Sequence, residues 1–264
     1  MVCMKKRTIS AIILITILIS SLIISSKLFG LIMLIFSVLG FNEIFNVKYK
    51  NNNKKNKLLK IIGVIFVIIT TLNNNLYKID ISIILLLMLL TLGIIIVLCH
   101  NLHSYSIEDI SYVLASSLLL GMSMGYLIEI FNTAIVKGIF IFIIAFITDT
   151  YAYIGGSLIG RHKLTVISPK KTIEGSLIGT LAGTLIGGVY YYNLVGGIGI
   201  IDVTLLCLFL TILSEFGDLF FSCIKRQFDK KDYSNLIPGH GGILDRFDSV
   251  IFVSLGLNLI LRLF

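Results

Sequence analysis

Apolar runs of about the length of a membrane span follow one another along almost the whole chain. A helix crosses about 30 Å of hydrocarbon with roughly 20 mostly apolar residues, and nine segments of this sequence approximate that length. They lie at residues 8–26, 28–46, 59–76, 80–98, 111–130, 134–154, 175–193, 200–221 and 243–263. The pattern predicts an all-α, polytopic integral membrane protein with about nine transmembrane helices.

The composition agrees with this interpretation and excludes other classes of protein. The sequence is 56% hydrophobic and only 14% charged, and its mean hydropathy is +0.99, outside the usual range of soluble domains. Its four cysteines show no CxxC spacing, so neither a disulfide framework nor a zinc site is indicated. No nucleic-acid-binding motif accompanies the net charge of +8. We therefore expect no nucleic-acid partner and attribute the charge to membrane topology.

The distribution of basic residues predicts how the chain is oriented. If the N-terminus is cytosolic, 18 of the 22 lysines and arginines fall in inside segments, as the positive-inside rule requires. The C-terminus is then outside, and the segments 155–174 and 222–242 form cytosolic loops.

Charge, proline and glycine are concentrated in residues 222–249, and they continue a polar stripe on the preceding helix. The stripe is formed by residues spaced three, four and three apart, namely Glu215, Asp218, Ser222 and Lys225. On a helix this spacing gives one polar face about 80° wide. A second polar face, formed by Asp245, Asp248 and Ser249, follows the glycine-rich turn 239–242. Two carboxylate-bearing helix ends joined by a basic loop are suited to a hard cation and a polyphosphate.

A second polar constellation runs from Asp149 to Gly175. Asp149 is predicted near the inner end of the sixth span, where its charge needs a polar cavity or a partner. Ser168 and Pro169 are predicted as the N-cap and first residue of the seventh span, which puts Lys170 and Lys171 in its first turn. The helix macrodipole disfavours cations there, so we interpret the two lysines as an anion site at a helix N-terminus. The alternative is that they only carry positive-inside charge.

Two further acids lie within or at the ends of apolar spans. Glu43 and Glu129 have no partner that the sequence reveals, and an acid in such a place is expensive. Each is therefore a candidate functional residue.

Together these residues resemble the signature of the phosphatidate cytidylyltransferase family, also called CDP-diacylglycerol synthases. The matching residues are Ser222-x-x-Lys225-Arg226, Lys231-Asp232, Pro238-x-His240-Gly241-Gly242-x-x-Asp245-Arg246-x-Asp248 and, upstream, Ser168-Pro169-Lys170-Lys171-Thr172-x-Glu174-Gly175. The resemblance is concentrated in the second half of the chain. It implies a division into N-terminal membrane helices at 1–130 and a catalytic membrane region at 131–264.

The resemblance implies transfer of a cytidylyl group from CTP to phosphatidate, giving CDP-diacylglycerol and pyrophosphate at the cytosolic face of the plasma (inner) membrane. The implied catalytic residues are Asp218, Ser222, Lys225, Arg226, Asp245, Arg246 and Asp248. The implied substrate-binding residues are Asp149, Lys170, Lys171, Thr172, Lys231, Asp232, Gly239, His240, Gly241 and Gly242. We expect Asp218, Asp245 and Asp248 to hold Mg²⁺, with the number of cations left open. The family also implies a homodimer in the lipid bilayer.

Three alternatives remain open at this stage. Asp218 and Asp245 could form structural ion pairs with Lys225 or Arg246 instead of binding a metal ion. Another CTP-using membrane enzyme could act on a different lipid phosphate or a polyprenol. A cation-coupled transporter also uses intramembrane carboxylates and glycine-interrupted spans, although the two halves of this chain show no inverted repeat.

The predicted topology can be tested by labelling single cysteines in a variant whose native cysteines have been replaced. A cysteine at Asn52 should react only from the cytosolic side and one at Asn74 only from the outside, because Asn52 precedes the third predicted span and Asn74 lies at its outer end. The reverse pattern at either position contradicts the nine-span arrangement.

Overall fold

The computed structural model describes residues 2–49, 54–99, 105–237, 239 and 241–263. Over these residues the chain is helical, and the only extended pairing among them is two isolated bridges, Lys163 to Thr172 and Ile237 to Gly241. The predicted all-α class is confirmed. Asn52, Pro238 and His240 lie outside the described residues.

Nine α-helices are formed within the described ranges. They are α1 Val2–Ile24, α2 Ser26–Lys48, α3 Lys54–Leu72, α4 Ile81–Cys99, α5 Ile107–Thr133, α6 Ile135–Ile159, α7 Ile173–Tyr190, α8 Ile200–Gln227 and α9 Leu244–Leu263. A π-helical turn extends α3 over Asn73–Tyr77, and another extends α7 over Tyr191–Val195.

Five helical segments in the described part of the chain are long and apolar enough to cross a membrane. They are Ser26–Lys48, Ile107–Thr133, Ile135–Ile159, Ile173–Val195 and Ile200–Gln227. The protein is therefore membrane-integral. The count of nine spans and the orientation of the N-terminus stay predictions.

The chain forms two compact units, and the first comprises Met1–Glu129 with Tyr233–Leu244. Here α2 packs against α1 and α3, and α5 also approaches α3 closely. At Gly125 an added Cβ would lie only 3.0 Å from the carbonyl oxygen of Thr71. Near the end of α2, the Tyr112 hydroxyl donates to the carbonyl of Ile44 at 2.8 Å.

The second unit comprises Ile130–Asp232 and Asp245–Phe264. Its helix α6 packs along α7, and both contact α8. Helices α8 and α9 meet through aromatic rings, since Phe252 lies edge-on to Phe216 and Phe220 with centroids 5.3 and 5.4 Å apart. The segment Tyr233–Leu244 belongs to the first unit. The division at residue 130 into N-terminal helices and a catalytic region stays a prediction.

A stripe of glycines lets α7 lie directly on α6. Gly175, Gly179, Gly183 and Gly187 are spaced four apart and all are buried. An added Cβ at Gly179 would lie 2.6 Å from the carbonyl oxygen of Thr148 and 2.8 Å from the Cβ of Ala152. Small residues at such spacing allow membrane helices to pack backbone to backbone.

The start of α7 differs from the sequence prediction. The helix begins at Ile173, and its N-cap is Thr172, whose hydroxyl accepts from the Gly175 amide at 3.1 Å. Ser168 is instead in a turn, its carbonyl accepting from the Lys171 amide at 3.0 Å. The prediction that Lys170 and Lys171 occupy the first helical turn is therefore wrong, because Thr172 offers a competing capping hydroxyl.

Two other boundaries also shift. Helix α6 continues to Ile159, so Asp149 lies well inside it and not near its end. Helix α8 continues to Gln227, so the segments between helices are 160–172 and 228–243. These replace the predicted loops 155–174 and 222–242.

The α6–α7 packing can be tested with two matched glycine substitutions on α7. We expect Gly179→Ala to lower the unfolding midpoint in detergent, because overpacking a tight contact costs about 1–3 kcal/mol. Gly188→Ala should be neutral or slightly stabilising, since its Cβ would meet nothing closer than Val203 at 4.0 Å and alanine is the better helix former. Equal midpoints for the two variants would contradict the close packing at Gly179.

Candidate active site

The second unit contains a cavity of about 460 Å³, within the usual range for small-molecule sites of about 300–1,000 Å³. Both carboxylates and cationic side chains line its wall. The charged lining residues are Asp149, Glu215, Asp218, Asp232, Asp245 and Asp248, with Lys170, Lys171, Lys225 and Arg246. A cavity with this lining can bind a polar, multiply charged ligand.

Lys171 and Asp218 form the first ion pair of the cavity. The Lys171 ammonium lies 2.6 Å from Oδ2 of Asp218, and both side chains are about one quarter exposed (22% and 27%). The Ser222 hydroxyl, one turn further along α8, donates to Oδ1 of Asp218 at 3.3 Å. The predicted stripe on α8 thus joins the segment before α7.

Lys225 and Asp245 form the second ion pair. Their charged atoms lie 2.7 Å apart, and the side chains are only 10% and 5% exposed. Breaking such a buried pair by removing one partner costs about 3–5 kcal/mol. The pair therefore joins the end of α8 firmly to the start of α9. The sequence analysis left open whether Asp245 pairs with Lys225 or binds a metal ion. In this structure, without ligands, Asp245 pairs with Lys225.

Asp149, Asp232 and Asp248 are the other carboxylates among the predicted site residues that line the cavity. The Ser249 hydroxyl donates to Oδ2 of Asp149 at 3.1 Å, which joins α9 to α6. Asp248 accepts from the amide of Ser249 at 2.9 Å. Among the residues that the structure describes, no three His, Cys, Asp or Glu side chains are close enough together to hold a metal ion by themselves.

Six lining residues were absent from the predicted site residues, namely Ala152, Tyr153, Gly156, Ser157, Ser176 and Glu215. Glu215 accepts hydrogen bonds from the hydroxyls of Ser176 and, at 3.3 Å, Thr180 on α7. Both Glu215 and Ser176 line the cavity. Glu215 lies on the same helical stripe as Asp218, so the spacing contained the signal for it, whereas Ser176 follows the predicted Lys-Lys-Thr motif without any signal of its own.

Thr172 lines the cavity as predicted, but several other predicted residues lie elsewhere. Arg226 donates to the carbonyls of Ile167 at 3.4 Å and Lys230 at 2.8 Å, so in this structure it supports the segment before α7. The other predicted residues that do not line the cavity are Ser222, Lys231, Gly239, Gly241 and Gly242, and His240 lies outside the described residues.

The glycine-rich turn before α9 contains two glycines with positive φ. Gly239 and Gly241 have φ values of 79° and 87°, a region that side chains rarely tolerate. The Ile237 amide donates to the Gly241 carbonyl at 2.8 Å and closes the turn. This turn belongs to the first unit.

Comparison with known proteins agrees with the character of this cavity. A sequence model of the cytidylyltransferase family matches residues 5–264. Phosphatidate cytidylyltransferase of Bacillus subtilis is 34% identical over 191 residues, which are 71% of this chain and 69% of that protein. Those of Staphylococcus saprophyticus and Staphylococcus epidermidis are 38% and 40% identical over 160 residues, which are 60% of this chain. The matched segments span 62% of each staphylococcal protein, a little under two thirds.

Proposed function

The chain belongs to the cytidylyltransferase family, and from that premise we propose that it transfers a cytidylyl group from CTP to phosphatidate. The products are CDP-diacylglycerol and pyrophosphate. The observation that carries the proposal is the cavity itself, in which residues of the family signature from α8 and α9 share one wall with Lys170, Lys171 and Thr172.

The reaction is a phosphoryl-group substitution that needs little covalent help from the protein. A phosphate oxygen of phosphatidate attacks the α-phosphorus of CTP, and the bond from that phosphorus to the bridging oxygen of the β-phosphate breaks. The nucleophile is already an anion, so the main task is to hold two mutually repelling anions in line. Lys171, Lys225 and Arg246 lie in the cavity wall and supply the positive charge that this requires.

The donor set fits Mg²⁺. The carboxylates of Asp218 and Asp245 are hard oxygen donors, and Mg²⁺ is commonly bound by one or two carboxylates together with substrate phosphates and water. A preformed cage of three ligands is therefore not required. Bound there, with Asp248 nearby, the ion would supply charge stabilisation to the triphosphate.

The ion pairs suggest what the protein's own groups do when substrate binds. Asp218 and Asp245 are held by Lys171 and Lys225. In the proposed complex Asp218 and Asp245 would hold the cation, and Lys171 and Lys225 would bind phosphoryl oxygens, so each charge would keep a partner of opposite sign.

The finer points of location belong to the same proposal. The protein resides in the plasma membrane with nine spans and a cytosolic N-terminus, acts as a homodimer, and opens its cavity to the cytosol. The positive-inside distribution of lysine and arginine supports this orientation.

The activity is tested by incubating purified protein in detergent with labelled CTP, Mg²⁺ and a panel of lipid phosphates. Label should enter the lipid fraction with phosphatidate, with pyrophosphate released in equal amount. Labelling only with another lipid phosphate or a polyprenol phosphate would overturn the substrate assignment. Uptake of a cation into proteoliposomes without CTP turnover would indicate a transporter.

The carboxylates give a sharper prediction. Asp218→Asn and Asp245→Asn should each lower the rate by at least about 10³-fold if both bind one Mg²⁺, because either change removes its charge stabilisation. The double variant should be scarcely slower than either single one, as for groups that act as a unit. Asp202→Asn is the matched control, since Asp202 lies in the first turn of the same helix α8 and outside the cavity lining.

The opposite result is equally clear. If Asp218 and Asp245 serve only as ion-pair partners, the losses in log rate should add and the Mg²⁺ dependence should stay as in the unsubstituted protein.

Substitutions at Lys171 and Lys170 test whether these lysines bind phosphate or only contribute positive charge to the membrane topology. Lys171→Ala should raise the apparent KM for CTP or phosphatidate by about tenfold or more, since a hydrogen bond to a charged group is worth about 1.5–3 kcal/mol. Lys170→Ala should have a smaller effect, because Lys170 is exposed whereas Lys171 lies against Asp218. Unchanged KM and kcat for both substrates in Lys171→Ala would mean that these lysines only set topology.

A further inference from the structure

Glu43 lies on α2, a helix that is apolar enough to span the membrane, and it is almost completely buried. The residue is 4% exposed, and both of its carboxylate oxygens accept hydrogen bonds. Oε1 accepts from the Ser234 hydroxyl at 2.7 Å and the Ile243 amide at 3.0 Å, and Oε2 accepts from the Leu244 amide at 2.9 Å. An acid in such surroundings is expensive, and these three bonds compensate its charge.

The groups that Glu43 binds form the beginning of α9. The first amides of a helix have no intrahelical acceptor, and the positive end of the helix dipole favours an anion there. Since α9 begins at Leu244, Glu43 caps this helix from a position 200 residues before Ile243 in the chain.

The approach of α2 to this turn leaves no room for a side chain at Gly242. A Cβ at that position would lie 2.5 Å from Oε2 of Glu43 and 2.6 Å from Oε1. One turn earlier on α2, a Cβ at Gly40 would lie 3.0 Å from the Leu244 side chain. Glycine at 242 is thus required by the Glu43 carboxylate, in addition to the substrate-binding role that the family resemblance implies.

The turn is continuous with the cavity wall through the main chain. Asp245 and Arg246, which line the cavity, follow Leu244 directly in the sequence. We propose that Glu43 is a positioning residue: its bonds to Ser234, Ile243 and Leu244 fix the start of α9 and hence the direction of Asp245 and Arg246. This inference rests on the proposed cytidylyl transfer.

The decisive variant is Glu43→Gln, which keeps the size of the side chain. A glutamine has a single oxygen acceptor and carries an NH₂ group on the other side, so it cannot accept from both helix amides and Ser234 as the carboxylate does. We expect kcat to fall at least about tenfold, the size expected from one lost hydrogen bond to a charged group. The KM values for CTP and phosphatidate should change by less than about threefold, because the lining residues of α6, α7 and α8 are untouched.

Ser234→Ala is the matched control within the same cluster. It removes the hydroxyl that donates to Glu43 and accepts from the Leu236 amide at 3.1 Å, and it leaves the amides of Ile243 and Leu244 bonded to Glu43. Its kcat should therefore fall by less than about threefold. A loss in Ser234→Ala as large as that in Glu43→Gln would contradict a role centred on the start of α9.

Hydrogen exchange followed by mass spectrometry gives a readout that does not depend on activity. In Glu43→Gln, amides of the peptide covering residues 241–244 should exchange faster than in the unsubstituted protein. Exchange in α8 and the unfolding midpoint should stay the same.

The outcomes separate the two proposals. Full kcat or unchanged exchange in Glu43→Gln, with the unsubstituted protein active, overturns the positioning role. A lower midpoint with faster exchange throughout the chain also overturns it, because Glu43 then only stabilises the fold. If the unsubstituted protein transfers no cytidylyl group, the proposed function fails, while the exchange measurement still tests whether Glu43 caps α9.

Discussion

Ionised side chains among membrane helices must be compensated by partners, and the rest of the structure depends on this constraint. In the second unit the most buried pair, Lys225 with Asp245, joins α8 to α9. The more open pair, Lys171 with Asp218, joins α8 to the segment before α7. Each carboxylate therefore fixes a helix end while it avoids an uncompensated charge. All four of these charged residues line the same cavity.

The apolar parts of the helices make this convergence possible through close packing. Helix association in lipid relies on packing and hydrogen bonds, because lipid tails are as apolar as the side chains they replace. The glycines of α7 let its backbone lie on α6 at Thr148 and Ala152, one residue before Asp149 and one turn after it. The same stripe that holds the two helices together thus brings Asp149 to the wall formed by Lys171 and Thr172.

Local spacing predicted the parts of the site that a single helix determines. Asp218, Ser222 and Lys225 share a face because residues three and four apart are neighbours on a helix. The prediction for the start of α7 was wrong because serine and threonine both favour the N-cap position, so that Ser168 and Thr172 were both candidates. The choice between them depends on a chain reversal in which the Leu164 amide donates to the Lys171 carbonyl at 2.9 Å. The partners of Glu43 lie 191 to 201 residues away, a separation about which sequence periodicity contains no information.

The paired arrangement also suits the chemistry proposed for it. A cavity that binds a triphosphate and a divalent cation must present both positive and negative side chains. Without a ligand, like charges would repel one another, and unpaired charges would lie in surroundings of low dielectric constant. Pairing Lys171 with Asp218 and Lys225 with Asp245 gives two of the six carboxylates in the cavity wall a partner of opposite charge. A substrate that brings its own anion and cation can exchange partners with each pair at little net electrostatic cost, since every ion pair broken is replaced by another. The ion pairs of this structure are therefore compatible with the proposed reaction, in which the same residues would bind a metal–phosphate complex.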